Sequence, residues 1–361
     1  MIDRLRITDQ ELIKKFVWDD EDPDYVVMNV GIHLSNKYGW SYVDKFLKYA
    51  KNKNRKRVFI FETEECVEPD LNIFDYAITY SSDLKCADRV FNLAYASLWD
   101  PSSGGIYKND LTPEIAKSRL NNLKFCNFMY SHSSLPRDDY FHAISKYKKV
   151  DSSGPYLHNT DIPEDRNNPD WYKLSIKTKS QYKFSIAMET ARYYGYNTEK
   201  ILTSFRAHTI PIYWGDPGIE NIYNPKSFIN CNKYSSLDEV LNIIKEIDND
   251  DEKYIEMVTQ PWQTPEQEKS ALKSFQDYGK FINNIFKQDI NDAIRRPLGR
   301  YPDIWLHEKY LKPYEDHKNE INSLKYLIYK KYKHTKDLFI RVLTKCKRIA
   351  KKLINLTMNK K

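Results

Sequence analysis

Tyr182-Lys-Phe-Ser-Ile-Ala-Met-Glu-Thr190 opens the block of sequence that decides the fold. The block continues through Gly195-Tyr-Asn-Thr-Glu-Lys200, Ile210-Pro-Ile-Tyr-Trp-Gly-Asp-Pro217 and Asn224-Pro-Lys-Ser-Phe-Ile-Asn230. Its apolar runs have the length of buried strands, and the polar segment after the first run contains a helix start. The block therefore predicts strand, loop, helix, strand, turn and strand in that order.

The same alternation of apolar runs and helix-like segments extends along the chain. Runs typical of buried strands occur at 25–30, 58–61, 76–79, 125–130, 183–187, 210–213 and 227–230. Segments with apolar residues at three- and four-residue spacing occur at 42–51, 138–147, 198–207, 237–247 and about 265–286. This alternation predicts parallel α/β layers. The polar segment 159–170, with two prolines, is predicted to be an exposed loop beside the active cleft.

Length and composition predict a protein of about two domains that is either cytoplasmic or trimmed of a membrane anchor. A chain of 361 residues exceeds one ordinary core, and two domains imply a cleft. A mean hydropathy of -0.72, with 30% charged residues, argues against a membrane-embedded chain. The first fifteen residues carry charges throughout, unlike a secretory signal. The five cysteines are scattered and show no metal-ligand spacing, which predicts reduced thiols.

The positive charge of the chain lies in its C-terminal tail. Residues 323–361 hold 13 Lys and Arg against one acid, whereas the rest has 44 basic and 49 acidic residues, a charge of -5. The tail places Phe339, Val342, Leu343, Cys346, Ile349, Leu353 and Ile354 on one helical face. Such a basic amphipathic helix is typical of binding to anionic lipid. Packing against the body or a partner is the alternative, and nucleic acid is disfavoured.

The segment after the first strand of the block carries residues suited to a nucleotide. Thr198 is placed to cap a helix whose first turn presents Glu199 and Lys200. Backbone N–H groups and the helix dipole favour phosphate at that end. A carboxylate suits ribose hydroxyls, and an ammonium neutralises phosphate. Taken alone, such a pair is more often a solvated helix start.

The whole block resembles glycosyltransferase family 10, the α-1,3/α-1,4-fucosyltransferases. The donor signature of that family reads F-x-x-x-F-E-N-[ST], G-Y-x-T-E-K-[IL], [IV]-P-[IV]-Y-W-G-x-P and N-P-K-S-F-[IV]-N in order. Arg137-Asp-Asp-Tyr-Phe-His-Ala-Ile-Ser-Lys-Tyr-Lys-Lys-Val-Asp151 is similar to its R-x-x-F-F-x-x-L-x-x-Y-K-x-V-D. The resemblance covers roughly residues 57–245. It implies a GT-B architecture, two Rossmann-like domains facing a cleft, and inverting transfer of L-fucose from GDP-fucose to a glycan hydroxyl.

The resemblance also implies roles for individual residues. Arg137 and Lys200 would bind the donor pyrophosphate, Glu199 the ribose hydroxyls, and Tyr196 would line the nucleotide pocket. Glu189 and Thr190 fall at the family's donor-binding positions.

The general base implied by the resemblance is a carboxylate of the first domain. Phe61-Glu-Thr-Glu-Glu-Cys-Val-Glu-Pro-Asp70 looks like the family's T-G-E-N-x-x-P-D, which assigns the base to Glu65. Its neighbours Glu62, Glu64 and Glu68 are the alternatives. No metal is then required, and Mn²⁺ stays open as a stimulant.

The chain departs from the family pattern in the first segment of the block. Thr190 stands where the family has asparagine, and Met188 replaces an aromatic residue. A hydroxyl has fewer hydrogen-bonding groups than a carboxamide, so another nucleotide-sugar donor is the first alternative. A noncatalytic glycan- or nucleic-acid-binding protein is the alternative of a different class.

These observations give a domain plan and a cellular setting. Residues 1–118 are predicted to bind the acceptor, 119–290 to bind GDP-fucose, 291–322 to form a linker and 323–361 to form the tail. The acceptor would be an oligosaccharide or lipid-linked glycan, fucosylated α-1,3 on GlcNAc or Glc of a lactosamine-like or lipopolysaccharide chain, and protein glycosylation is a further setting. The enzyme would be cytoplasmic and peripheral on the inner face of the membrane. The acidic clusters at 19–22 and 248–251 are predicted to be solvated loops, not metal sites.

Overall fold

The computed structural model describes residues 14, 16–17, 19, 21–29, 46–52, 54–63, 65–93, 105–162, 168–323, 328 and 331–333. The described residues before Pro297 form one compact unit, and those from Pro297 onward form a second. The first unit contains two parallel sheets and all of the predicted site residues.

The first sheet has four parallel strands in the order β1-β2-β3-β4. They are β1 (Tyr25–Asn29), β2 (Val58–Glu62), β3 (Tyr76–Thr79) and β4 (Val90–Asn92). Every residue of β2 and β3 is buried, as expected for parallel strands covered on both faces. The alternation of apolar runs thus predicted β1 to β3, whereas the three-residue β4 was too short to be detected.

The second sheet has five parallel strands in the order β6-β5-β7-β8-β9. They are β5 (Lys124–Phe128), β6 (Val150–Ser152), β7 (Tyr182–Met188), β8 (Ile210–Trp214) and β9 (Ile229–Asn230). The predicted order of elements from 182 to 230 is confirmed. Only β6 was missed, because it is three residues long and lies in a polar stretch.

Helices connect and cover the strands of this unit. They are α1 (Pro113–Arg119), α2 (Arg137–Tyr147), α3 (Trp171–Lys179), α4 (Glu199–Arg206), α5 (Leu237–Asp248), α6 (Asp251–Val258), α7 (Pro265–Lys287) and α8 (Ile290–Ala293). Residues 46–51 are also helical, and the rest of the helix predicted at 42–51 lies outside the described residues. The predicted helices at 138–147, 198–207, 237–247 and 265–286 are confirmed.

Helix α7 joins the two sheets within this unit. It begins with a capping box of Thr264 and Gln267, and the Gln267 side chain also donates to the Glu220 carbonyl beside the second sheet at 2.8 Å. Its far half places Tyr278, Ile282 and Ile285 in the core of the first sheet. Residues 107–116 pack with helices and strands of the second sheet. The domain limits at 118 and 290 stay predictions.

The acidic segment 248–251 is not the solvated loop that was predicted. Asp248 ends α5, and its side chain is 1% exposed, 3.0 Å from the Lys148 ammonium and 3.4 Å from that of Lys183. Asp250 accepts hydrogen bonds from the first backbone N–H groups of α6. Both carboxylates therefore serve the local fold. The prediction failed because two lysines distant in sequence neutralise Asp248.

The second unit is helical where it is described. It contains α9 (Arg300–Leu306), a π-helical turn (His307–Leu311) and α10 (Lys312–Asn322), inside the segment predicted as a linker. The tail predicted at 323–361 lies almost wholly outside the described residues. Within the described part of the chain, no helix is long and apolar enough to cross a membrane.

Candidate active site

A cavity of about 580 Å³ opens where β5 and β7 end. Ligand sites in open α/β sheets lie outside the carboxyl ends of the strands, as here. Its walls come from the segment after β5, the first turns of α2 and α4, one face of α3, and the loop after β2. Six of the seven predicted site residues line it: Glu65, Arg137, Thr190, Tyr196, Glu199 and Lys200.

The seventh predicted residue, Glu189, is fully buried behind the cavity wall. It directly follows β7 and accepts hydrogen bonds from the Thr198 backbone N–H at 2.8 Å, from the Thr198 hydroxyl at 2.8 Å, and from the Lys200 ammonium at 3.1 Å. Thr198 is the N-cap residue by position, but its hydroxyl donates to Glu189 instead of accepting from the helix. Glu189 thereby fixes the direction of Lys200.

The first turn of α4 holds opposite charges close together. The Lys200 ammonium lies 3.1 Å from Glu189 and 3.8 Å from Glu199. Burial lowers the pKa of Lys200, but the two carboxylates raise it well above its ordinary value. Burial raises the pKa of Glu189, with Glu199 adding to the effect and Lys200 opposing it. Lys200 is therefore a permanent cation at the cavity wall.

Arg137 presents a second buried cation to the cavity. Its guanidinium lies 3.9 Å from the centroid of the Tyr130 ring, and it donates to the His132 carbonyl at 3.0 Å. Tyr130 is itself fixed, because its hydroxyl donates to the Ile186 carbonyl and accepts from the Met188 N–H, each at 2.8 Å. The Nε of Arg137 is buried with no hydrogen-bond partner among the described residues. Arg137 is thus held flat against Tyr130 at the cavity wall.

Glu65 faces these cations from the loop after β2. The hydroxyl of Thr63 accepts from the Glu65 N–H at 3.0 Å and fixes the backbone there. The carboxylate of Glu65 is exposed and accepts a hydrogen bond of 3.4 Å from the hydroxyl of Tyr196. That hydroxyl also lies 3.3 Å from the hydroxyl of Thr190. A carboxylate and two cations that line one cavity suit a reaction that removes a proton and releases an anion.

The turn that carries Tyr196 depends on a residue that the sequence analysis gave no role. Asp216, in the Trp-Gly-Asp-Pro segment, is buried and accepts from the N–H groups of Gly195 and Gly218, each at 2.8 Å, and from the Asn197 amide at 3.0 Å. Burial raises its pKa, while those hydrogen bonds oppose the rise. An aspartate between a glycine and a proline, two residues after an apolar run, was the sequence signal that could have identified it.

Helix α3 is the other part of the wall that was missed. Trp171, Ser175 and Lys179 are spaced by four residues and all line the cavity. The spacing puts them on one face of the helix. The sequence signal was indirect, since α3 begins directly after the loop predicted to border the cleft. The polar residues of α3 gave no indication in the sequence of which face lines the cavity.

The sequence of the chain is similar to that of known fucosyltransferases. Residues 117–282 match the family described as glycosyltransferase family 10 (fucosyltransferase) C-terminal. The chain is 36% identical over 142 residues to a putative fucosyltransferase of Acanthamoeba polyphaga mimivirus, covering 38% of this chain and 24% of that protein. It is 30% identical over 246 residues to an alpha-(1,3)-fucosyltransferase of Helicobacter pylori, covering 59% and 48%. It is 29% identical over 198 residues to GDP-fucose protein O-fucosyltransferase 3 of Xenopus tropicalis, covering 53% and 41%.

These matches confirm the resemblance to glycosyltransferase family 10. The matched segments span between a quarter and a half of the length of these relatives. In structure, the chain is similar to an alpha1,3-fucosyltransferase crystallised with GDP-fucose, with a TM-score of 0.58 and 21% identity over 82% of this chain and 100% of that one. At this identity the likeness shows the fold, and the predicted GT-B architecture is confirmed.

Proposed function

We propose, from the confirmed resemblance to family 10, that this chain is an inverting fucosyltransferase that moves L-fucose from GDP-fucose to a hydroxyl of an acceptor. One observation carries the proposal. The motif residues Arg137, on α2, and Glu199 and Lys200, on α4, line one cavity together with the carboxylate of Glu65 from the loop after β2.

In this proposal, the wall made by α2 and α4 holds the nucleotide. Lys200 and Arg137 bind the diphosphate, since both cations line the cavity and charge-assisted hydrogen bonds to phosphate are strong. Glu199 accepts from the ribose hydroxyls. Because the diphosphate gains charge as the sugar leaves, fixed cations stabilise the departing group more than the bound donor. The donor would therefore bind through its nucleotide and react at its sugar.

Glu65 is the general base in the proposed reaction. The acceptor hydroxyl gives its proton to the Glu65 carboxylate as its oxygen attacks the anomeric carbon from the face opposite the diphosphate. The bond between the anomeric carbon and phosphate oxygen breaks, GDP leaves with the electron pair, and the anomeric configuration inverts. Tyr196, which donates to Glu65, holds the carboxylate toward the cavity.

The acceptor is proposed as an oligosaccharide or lipid-linked glycan with a lactosamine-like or lipopolysaccharide structure, fucosylated at the 3-position of GlcNAc or Glc. A serine or threonine of a protein is the second candidate, because one relative is named a protein O-fucosyltransferase. The basic tail at 323–361 would hold the enzyme on the anionic inner face of the membrane, from the cytoplasm. Failure of tail deletion to release the protein from anionic vesicles would contradict that setting.

There are two alternatives: a transferase that uses a different nucleotide sugar, and a binding protein without catalytic activity. A different nucleotide sugar is conceivable because Thr190 contacts Tyr196 at 3.3 Å in place of the family's asparagine. Competition among GDP-fucose, GDP-mannose and UDP-sugars separates these donors. A noncatalytic glycan- or nucleic-acid-binding protein would bind its ligand even after substitution of Arg137 and Lys200, with steep salt dependence for nucleic acid.

The test is transfer from GDP-fucose to N-acetyllactosamine, to a panel of other glycans and to serine- and threonine-containing peptides, with GDP release and product mass as readouts. Each reaction is run with EDTA and with added Mn²⁺, since the proposal requires no metal. Fucosylated product that depends on Glu65 supports the proposal. The proposal fails if GDP-fucose does not bind or if another nucleotide sugar is transferred in its place.

A further inference from the structure

We propose that Lys179 is a positioning residue of the donor site. Its buried ammonium fixes the first turn of α4 and balances the carboxylate of Glu199, which leaves Lys200 available to a nucleoside diphosphate. The inference rests on the proposed function and deepens it, because Lys179 lies in none of the sequence motifs that indicated the donor site.

The position of Lys179 ties α3 to α4. Only 6% of the residue is exposed. Its ammonium donates to the Thr203 hydroxyl at 2.6 Å, to the Ser204 hydroxyl at 3.4 Å and to the Lys200 carbonyl at 3.4 Å. The acceptors are the carbonyl of Lys200 in the first turn of α4 and two hydroxyls one turn later, so Lys179 ties α3 to the turn from which Glu199 and Lys200 project.

The burial of Lys179 is the feature that local helix stability does not explain. Lys179 is the last residue of α3, where a cation is favourable to the helix dipole whether or not it is buried. Burial of an ammonium is costly unless hydrogen bonds and a carboxylate compensate it. A lysine buried in the wall of the candidate site is therefore better explained by what it does for that site.

The charge balance at the first turn of α4 shows what Lys179 contributes. The Lys200 ammonium lies 3.1 Å from the Glu189 carboxylate and 3.8 Å from that of Glu199, and the Lys179 ammonium contacts the Lys200 carbonyl in the same turn. Two cations there balance two carboxylates. Without Lys179 the carboxylates of this turn would outnumber the cations, which would weaken its attraction for a diphosphate.

The protonation of Glu199 reflects the same balance. Burial raises its pKa, but Lys200, its own backbone N–H, Lys179 and the Thr198 hydroxyl together lower the pKa below its ordinary value. Lys179, the last residue of α3, contributes to this lower pKa of Glu199. It thereby favours the ionised carboxylate that would accept the ribose hydroxyls.

The test compares GDP with guanosine, which lacks phosphate, by calorimetry on the full chain. We expect Lys179→Gln, which keeps hydrogen-bond donors but loses the charge, to weaken GDP about tenfold or more and guanosine much less, since about 1.4 kcal/mol of lost attraction is a factor of ten. Lys179→Arg should restore GDP affinity to within about threefold of the wild type, because it keeps the charge. Lys179→Met should weaken GDP at least as much as Lys179→Gln.

The outcomes separate a charge role from a structural one. Equal loss of GDP and guanosine in Lys179→Gln, or a GDP loss in Lys179→Arg as large as in Lys179→Gln, would overturn the proposal. Loss of cooperative thermal unfolding in both neutral variants would assign Lys179 to folding and would overturn it too. If the wild-type chain binds neither GDP nor guanosine, both the proposed function and this inference fail. If the wild type binds GDP and Lys179→Gln binds it with the same affinity, only the inference fails.

Discussion

The hydroxyl of Tyr196 lies 3.4 Å from a carboxylate oxygen of Glu65, so the loop after β2 touches the turn after β7. The Tyr196 ring also contacts Tyr80, which directly follows β3, edge to face at 5.0 Å between centroids. Tyr193 donates to Glu68 at 2.5 Å beside them. The residue proposed as general base and the turn proposed to bind the donor therefore meet in one contact between the two sheets.

Replacing Glu65 with glutamine should stop transfer without removing donor binding. An amide cannot accept the acceptor proton, and general bases contribute about 100- to 10,000-fold to rate. We expect kcat to fall by at least about 100-fold, while the Kd for GDP stays close to wild type. The matched control is Glu68→Gln three residues away, which should keep transfer within about tenfold. The reverse result for the two variants would move the base to Glu68.

Replacing Tyr196 with phenylalanine tests the orientation of that base. The variant keeps the ring contact with Tyr80 and loses the hydroxyl that contacts Glu65 and Thr190. One modest hydrogen bond is worth about 1 kcal/mol, so we expect kcat to fall roughly five- to tenfold with little change in melting temperature. A Tyr196→Phe enzyme with the full wild-type kcat would show that this hydroxyl does not orient Glu65.

Removing the ammonium of Lys200 should affect both stability and binding, and a double variant separates the two. Lys200→Met leaves Glu189 buried without its cation, which costs about 3 to 5 kcal/mol of unfolding free energy. Glu189→Gln combined with Lys200→Met removes both charges and should recover most of that stability. Because the cation is still missing, GDP binding should stay lost in both. Denaturant unfolding and calorimetry measure the two effects, and recovery of binding in the double variant would contradict the role of Lys200.

A methyl group at Gly195 should disrupt the turn that carries Tyr196. Gly195 has φ of +84°, and an added Cβ would lie 2.1 Å from the Tyr80 carbonyl oxygen. We expect Gly195→Ala to lose at least about 1 kcal/mol of stability, and more if the backbone cannot shift. Gly218→Ala is the control, because Gly218 has φ of -92° and its added Cβ would come no closer than 3.3 Å to a side-chain oxygen. Equal melting temperatures for the two variants would contradict this account.

Arg137 should not tolerate lysine, although the charge is retained. The planar guanidinium stacks on Tyr130 and has a fork of donors that suits a phosphate, and an ammonium can reproduce neither feature. We expect Arg137→Lys to weaken GDP by about tenfold or more and to affect guanosine less. Arg192→Lys, an exposed arginine outside the residues that line the cavity, is the matched control and should bind GDP as the wild type does. A normal GDP affinity in Arg137→Lys would show that only the positive charge of Arg137 matters for GDP binding.

The sequence by itself determined the fold class and most of the residues at the candidate site. Parallel strands buried on both faces appear as short apolar runs, so seven of the nine strands in the described part of the chain could be located from the pattern of apolar residues alone. Arg137, Glu199 and Lys200 belong to motifs with fixed spacing, so they too could be named from the sequence. The order of these residues along the chain, however, does not give the distances between them in the folded protein.

Only the tertiary structure decided which of these groups reach the cavity and which support it. Glu189 looked like a donor-binding residue by position, but it lies behind the wall because Thr198 and Lys200 donate to it. Lys179 had no motif at all, and it became part of the site because α3 packs beside α4. Burial and pairing depend on residues distant in sequence, which local patterns cannot specify.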